Sequence, residues 1–269
     1  MPTDQQLRDL VKEKYGEIAK ESKKVNQACC CGSGKVDLKM DYSIMADDYK
    51  DIDGYVEDAD LGLGCGLPTE YAQMKPGDTV LDLGSGAGND AFIARQVVGK
   101  EGKVIGLDMT EEMIEKSRIN CEKTKFNNVE FRFGEIEDMP VVDSSVDVVI
   151  SNCVLNLVPD KEKAFAEIKR VLKPGGHFSV SDIVLNGELP QKLRGAAEMY
   201  AGCVAGALRQ EEYVGIVEKL GFDNIQIQKD KPIVIPDHIL KDYLNDEEIK
   251  DYKKMPNLIK SITVYADNN

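Results

Sequence analysis

The sequence predicts an α/β protein built on a doubly wound parallel sheet. From Lys75 onward, short apolar runs alternate with amphipathic helical patterns. The first apolar run, residues 80–83, leads into Gly84-Ser85-Gly86-Ala87-Gly88, where glycine lets the backbone bend sharply and approach a ligand. The second run closes on an acidic residue, Asp108, twenty residues past Gly88, a position from which a carboxylate accepts ribose hydroxyls.

Each element follows in order. Leu7, Leu10, Val11 and Ile18 fall at helical spacing and predict a helix over 3–25, with Asp4 near its start. Residues 26–75 hold Cys29-Cys30-Cys31, an acidic stretch over 47–60 and the Gly-rich run 61–66. This reads as an irregular segment with a short helix, mobile until a ligand binds, when the acidic stretch closes over the site. The expected strands are 79–83, 103–107, 129–133, 146–151 and 177–184, and the expected helices are 89–98, 111–123 and 160–172. Lys173-Pro174-Gly175-Gly176 reads as a helix stop and tight turn. Residues 189–208 read as a helix broken by glycines 195, 202 and 206; 210–220 reads as a helix stopped by Gly221, and 225–228 and 262–266 as a closing pair of strands. The organisation is an N-terminal segment (1–74), an α/β core (75–185) and a C-terminal cover (186–269).

Composition narrows the function. The chain has 269 residues, enough for one sizeable core with a smaller addition. No apolar run is long enough to cross a bilayer, and the polar N-terminus is not a secretory signal. A net charge of -14 repels phosphate backbones and argues against nucleic acid as a partner. Two histidines argue against a His-rich metal site or a Ser-His-Asp triad. Seven cysteines without an export signal point to the reducing cytoplasm, where thiols stay free.

The glycine spacing G-x-G-x-G, with Asn89 next in line and Asp82 in the strand before it, favours a ligand without a pyrophosphate. Strand ends after 133 and at 151–153 point into the same crevice. These residues, with the Leu-Lys-Pro-Gly-Gly turn, resemble the class I S-adenosylmethionine (AdoMet)-dependent methyltransferases. The resemblance covers roughly 75–184. It implies a Rossmann-like seven-stranded sheet with its last strand antiparallel. It also implies that Asp82 holds the methionine end of AdoMet, Asp108 the ribose and the segment Glu135, Ile136, Glu137 the adenine. Gly84, Ser85, Gly86, Met109 and Asn152 complete the implied contacts.

Three separated cysteines bear on the methyl acceptor. Cys65 lies in the Gly-rich run, Cys153 at a strand's carboxyl end facing the crevice, and Cys203 in the region that covers it. Their spacing is too wide for a zinc ribbon or a C-x-x-C pair. Taken singly, each also reads as a small buried apolar residue. Gly64-Cys65-Gly66, the run Asn152-Cys153-Val154-Leu155-Asn156-Leu157-Val158-Pro159-Asp160 and the run from Gly202-Cys203 to Leu208 resemble the three cysteine motifs of the arsenite methyltransferases. Val11 to Gly16 and Cys29 to Gly32 are similar to the start of the microbial members. The resemblance fades after about Leu220.

It implies that Cys65, Cys153 and Cys203 bind As(III), the soft centre that thiolates select. It implies methylated arsenicals as products and a thiol reductant of the glutathione or thioredoxin type. One of Cys29, Cys30 and Cys31 is then a resolving thiol for Cys65, or the triple is an adventitious metal-binding tail. Cys121 reads as packing. Two other functions stay open. A methyltransferase for a quinone or sterol precursor would not need Cys65 and Cys203, and an arsenite-binding protein would not need Asp108 or Gly86. A dehydrogenase would prefer NAD to AdoMet.

Overall fold

Several strands are apolar at consecutive positions, so both faces of their sheet need cover. The computed structural model, which describes residues 3–20, 47–196 and 203–269, shows how they are covered. The strands are β1 (Thr79–Leu83), β2 (Lys103–Asp108), β3 (Val129–Phe133), β4 (Val146–Asn152), β5 (Leu172–Leu185), β6 (Asp223–Ile233) and β7 (Ile259–Asn268). They form one seven-stranded sheet in the order β3-β2-β1-β4-β5-β7-β6. β1 to β5 are parallel, and β7 runs antiparallel to both β5 and β6.

The helices described are α1 (Asp4–Lys20), α2 (Pro68–Tyr71), α3 (Asn89–Val98), α4 (Glu111–Thr124), α5 (Lys161–Val171), α6 (Gln191–Arg194), α7 (Gln210–Lys219), α8 (Asp237–Tyr243) and α9 (Asp246–Tyr252). Period-two alternation sorts the strand residues between two layers. Val80, Val104, Val148 and Ile150 join Val11 and Ile18 of α1, Phe92 and Val98 of α3, and Met113 of α4. Leu81, Leu83, Ile105 and Val149 join Phe165 and Ile168 of α5 and Tyr213 and Val217 of α7. Each such large side chain contributes about 1.5–3 kcal/mol when removed from water. No helix among the described residues is long and apolar enough to cross a membrane.

The structure departs from the sequence reading in several places. Lys173-Pro174-Gly175-Gly176 follows the end of α5 at Val171, as a helix stop should, but it lies within β5 and forms its irregular start. Gly175 takes φ 79°, and the β4–β5 register shifts between Val146 and Val148. The closing strands extend well beyond 225–228 and 262–266, because β7 pairs with β5 from Ile259 to Asn268. α8 and α9 were not expected. Among the described residues of the helix expected over 189–208, only the turn α6 is α-helical; Cys203 has φ 66°, which no right-handed helix accommodates, and 197–202 lie outside the described residues. Residues 47–75 are docked, with Tyr49, Leu61, Cys65, Leu67 and Ala72 buried. Asp47 is held by Lys229 at 2.8 Å and Lys231 at 3.0 Å. The acidic stretch already rests on the site: Tyr49, Ala59 and Asp60 line its cavity.

Strand order reverses between β1 and its two neighbours β2 and β4. A crevice therefore opens beyond the carboxyl ends of these strands, and the candidate site lies there.

Candidate active site

The chain leaves β1 through a turn in which Gly84 takes φ 63°. A Cβ at Gly84 would lie 2.4 Å from Val154 Cγ2, so only glycine fits between the turn and the segment after β4. Asp108, at the end of β2, ties this turn down. Its Oδ2 accepts from Gly86 N at 3.0 Å and its Oδ1 from Thr110 N at 2.9 Å. A carboxylate has about four acceptor positions, so Asp108 keeps capacity for ligand hydroxyls. Burial raises its pKa against the pull of those N–H groups.

A cavity opens against this turn. It is lined by Asp82, Ser85, Gly86, Asn89, Asp90, Asp108, Met109, Ile136 and Asn152, with Arg8, Val11 and Tyr15 of α1 on its outer side. Asp82 Oδ2, Ser85 Oγ, Asn89 Oδ1 and Asp90 Oδ1 are buried without a hydrogen-bond partner in the structure, and all four residues line this cavity. Buried polar atoms are ordinarily paired, so such a cluster marks where a ligand binds. Burial lifts Asp82 well above the usual carboxylate range, helped by the like charges of Asp90 and Asp108. Burial likewise lifts Asp90 to about 6, against hydrogen bonds from Asn152 and Tyr49.

The loop after β3 meets α1. Arg8 Nη2 donates to Glu137 Oε2 at 2.7 Å, and Lys12 Nζ to Glu135 Oε1 at 3.0 Å. The other Glu137 oxygen accepts from Asp160 N at 3.1 Å. The buried Glu137 carboxylate is thus a tie between three segments, and Ile136 is left to line the cavity between the two acids.

Three thiols gather beside the cavity. Cys65, Cys153 and Cys203 are all buried in one cluster, and all three are free. Cys65 and Cys203 lie close enough to Cys153 to disfavour its charge. Cys65 and Cys153 are held through their backbones. Cys65 N donates to Asn152 Oδ1 at 3.0 Å, and Cys65 O accepts from Ser261 Oγ of β7 at 2.5 Å. Cys153 N donates to Ser181 O at 2.7 Å, and Cys153 and Cys203 have φ of 60° and 66°. Left-handed backbone at a residue with a Cβ costs roughly 1–2 kcal/mol and persists only where surrounding structure imposes it. Burial pushes the Cys65 thiol up. It pushes Cys153 further, because its two thiol neighbours also disfavour its charge. Cys65 and Cys153 are therefore held as neutral thiols. Among the described residues no three His, Cys, Asp or Glu stand ready as a metal cage. The Cys203 thiol instead points at Cys153 O, 2.9 Å away.

A family model described as "Methyltransferase domain" matches residues 74–233. An arsenite methyltransferase of Aquipseudomonas alcaligenes is 32% identical over 89% of this chain and 69% of its own length. The chain belongs to the arsenite methyltransferase family.

A second relative, the arsenite methyltransferase of Halobacterium salinarum, is 43% identical over 83% of this chain. The chain spans 59% of that relative's length. Among solved structures, an arsenic(III) S-adenosylmethionine methyltransferase from Chlamydomonas reinhardtii is 33% identical, with a TM-score of 0.61, over 76% of this chain and 66% of that one. The sheet of this arsenite methyltransferase family member is that of the class I AdoMet-dependent methyltransferases.

The structure brings Asp82, Gly84, Ser85, Gly86, Asp108, Met109, Glu135, Ile136, Glu137, Asn152 and Cys153 to one cavity of this family member. Cys65 and Cys203 lie in the same buried cluster as Cys153. Cys29, Cys30 and Cys31 lie outside the described residues. Cys121 packs on α4, its Sγ 3.5 Å from Phe126 O. Sequence reasoning missed Arg8, Tyr49 and Asp90. Only Asp90 carried a local signal, an acid in the first turn of the helix behind the glycine turn.

Proposed function

We propose that this chain transfers a methyl group from AdoMet to trivalent arsenic held by Cys65, Cys153 and Cys203. One observation carries the reading: three thiols from three distant segments meet at the carboxyl end of β4, beside a cavity with buried unpaired acceptors. The acceptors fit the cofactor. Asp82 and Asp90 offer oxygens to a cationic ligand, Asp108 and Ser85 to hydroxyls, and Met109 and Ile136 offer apolar surface to a flat base. Bound there, AdoMet supplies an electrophilic methyl group.

The chain's own residues do the rest. Each thiol passes its proton to a hydroxide leaving arsenite as an As–S bond forms, so three waters depart and the buried site gains no charge. This suits thiols whose burial disfavours free thiolate. Cys203 turns from Cys153 O to complete the set. Three sulfur ligands leave the arsenic lone pair as the nucleophile. No general base is required, because that pair carries no proton. Holding two reactants in place supplies about 7–11 kcal/mol of a barrier. The products are methylated arsenicals. A thiol reductant of the glutathione or thioredoxin type restores trivalent arsenic and free thiols between rounds. Four free cysteines among the described residues support work in a reducing compartment such as the cytoplasm.

A small organic acceptor is the second reading. A demethylmenaquinone methyltransferase from Desulfitobacterium hafniense is 30% identical over 55% of this chain. The thiol cluster has no task in that chemistry. The test is incubation with AdoMet, arsenite and a thiol, followed by arsenic speciation. Wild type yields methylated arsenic and Cys153→Ser does not. Equal yields from the two would reject the arsenic reading.

A further inference from the structure

Protein groups engage the whole side-chain amide of Asn152. Its Oδ1 accepts from Cys65 N at 3.0 Å and from Gly66 N at 3.3 Å. Its Nδ2 donates to Gly66 O at 2.9 Å, to Asp90 Oδ2 at 3.1 Å, and to the hydroxyl oxygen of Tyr49. Donors on one side and acceptors on the other leave a single orientation for the amide. Gly64 makes room for it, since a Cβ there would lie 2.7 Å from Asn152 Nδ2. Asn152 directly precedes Cys153. One amide therefore docks the Cys65 segment onto the strand that carries the second thiol.

Asp90 is the other end of this connection. Its Oδ2 accepts from Asn152 and, at 3.2 Å, from the Tyr49 hydroxyl. Its Oδ1 is buried and has no hydrogen-bond partner in the structure, and Asp90 lines the cavity. The same carboxylate addresses the thiol segment with one oxygen and the cofactor cavity with the other.

We propose that Asp90, Asn152 and Tyr49 couple the two ligand sites, so that an S-adenosyl ligand in the cavity sets Cys65 for arsenite and arsenite tightens the S-adenosyl ligand. The inference rests on the function proposed above. A cation brought against Asp90 Oδ1 holds the carboxylate charged and in place. Its Oδ2 is then a stronger acceptor for Asn152 Nδ2. A firmer amide fixes Gly64 to Gly66 and the thiol between them. Coupling of this kind is reciprocal by linkage. Asn152 is thus a positioning residue.

The test is equilibrium dialysis of the full chain with S-adenosylhomocysteine, which carries an ammonium group but no transferable methyl, with and without arsenite. Wild type binds S-adenosylhomocysteine about tenfold more tightly with arsenite present, and arsenite responds by the same factor. Asn152→Ala and Tyr49→Phe are compared by that ratio, which cancels whatever either substitution does to single-ligand affinity. The ratio falls to about two or less in Asn152→Ala and by about threefold in Tyr49→Phe. Tyr49→Phe decides the matter if Asn152→Ala does not fold. An unchanged ratio in the folded variants overturns the proposal, as does a ratio of one in a wild type that binds both ligands. A wild type that binds S-adenosylhomocysteine but no arsenite rejects the arsenic reading itself, and the coupling with it.

Discussion

The Cys203 thiol donates to the Cys153 carbonyl oxygen at 2.9 Å, and both residues have left-handed backbone. The bond gives the third thiol a resting place beside the other two. Serine reproduces it, because a hydroxyl also donates to a carbonyl. Cys203→Ser is therefore expected to fold with little change in Tm while losing a soft ligand. Arsenite affinity, measured by dialysis and elemental analysis, should fall by roughly 10–100-fold. Unchanged affinity would remove Cys203 from the ligand set.

Arg8 is expected to hold α1 over the cavity through Glu137. Their contact is 2.7 Å, and the Glu137 side chain is only 5% exposed. Arg8→Ala strands a buried carboxylate with one remaining N–H donor, from Asp160. A lost hydrogen bond to a charged group costs about 1.5–3 kcal/mol. The variant should lose the protease resistance of α1 and bind S-adenosylhomocysteine more weakly. A digestion pattern identical to wild type would show that α1 is held without Arg8, by its buried Val11 and Ile18 and by Lys12.

Asp182 gives stability an unusual pH dependence. It is fully buried on β5, and burial lifts its carboxyl to about 7, against the partial offset of Lys161 and hydrogen bonds from Ile183 N and Tyr213. Lys161 and Tyr213 face it from α5 and α7, and Cys65 lies close enough for the Asp182 charge to raise its thiol. Such a carboxyl binds more protons folded than unfolded. Its contribution is complete below the ordinary value of 3.8 and is lost as pH rises through about 7. Thermal melts should show Tm falling from pH 5 to pH 8. Asp182→Asn should flatten that fall by at least about 2–4 °C, what about 1 kcal/mol is worth at this chain length. A variant that tracks wild type across the range would assign the slope to other groups.

Gly84→Ala tests the turn. Its Cβ would sit 2.4 Å from Val154 Cγ2, at a φ of 63°. Overpacking costs about 1–3 kcal/mol, with left-handed strain added. Binding of S-adenosylhomocysteine by calorimetry should weaken at least about tenfold, since the turn and the segment after Cys153 must both shift. Wild-type affinity would mean that the turn tolerates a side chain.

The core from β1 to β5 was legible in the sequence because its pattern is local. Apolar runs, glycine punctuation and the acid at Asp108 each report on their own neighbourhood. The expected and observed bounds of β1, α3 and β3 coincide. Contacts between distant segments were less visible. Nothing near Tyr49 in the sequence announces that its hydroxyl meets Asp90 and Gly66 O. Glu135 and Glu137 show both sides of this. An acidic loop beside the crevice reads as ligand-facing, and both acids do line the cavity, but their pairing with Arg8 and Lys12, more than a hundred residues earlier, has no local sign. α8 and α9 were missed because each is seven residues long, too short for periodicity to show.

β7 is the last of the seven strands to be translated, yet it lies between β5 and β6. Its Ser261 bonds Cys65 O, and its Thr263 bonds Ser181, whose carbonyl receives Cys153 N. A nascent chain still inside the ribosome tunnel at Ile259 therefore has β5 with an unsatisfied edge and both cysteines short of a tether. The thiol cluster is complete only once β7 has joined the sheet. Until then the β5 edge presents unpaired backbone groups that another strand could take up.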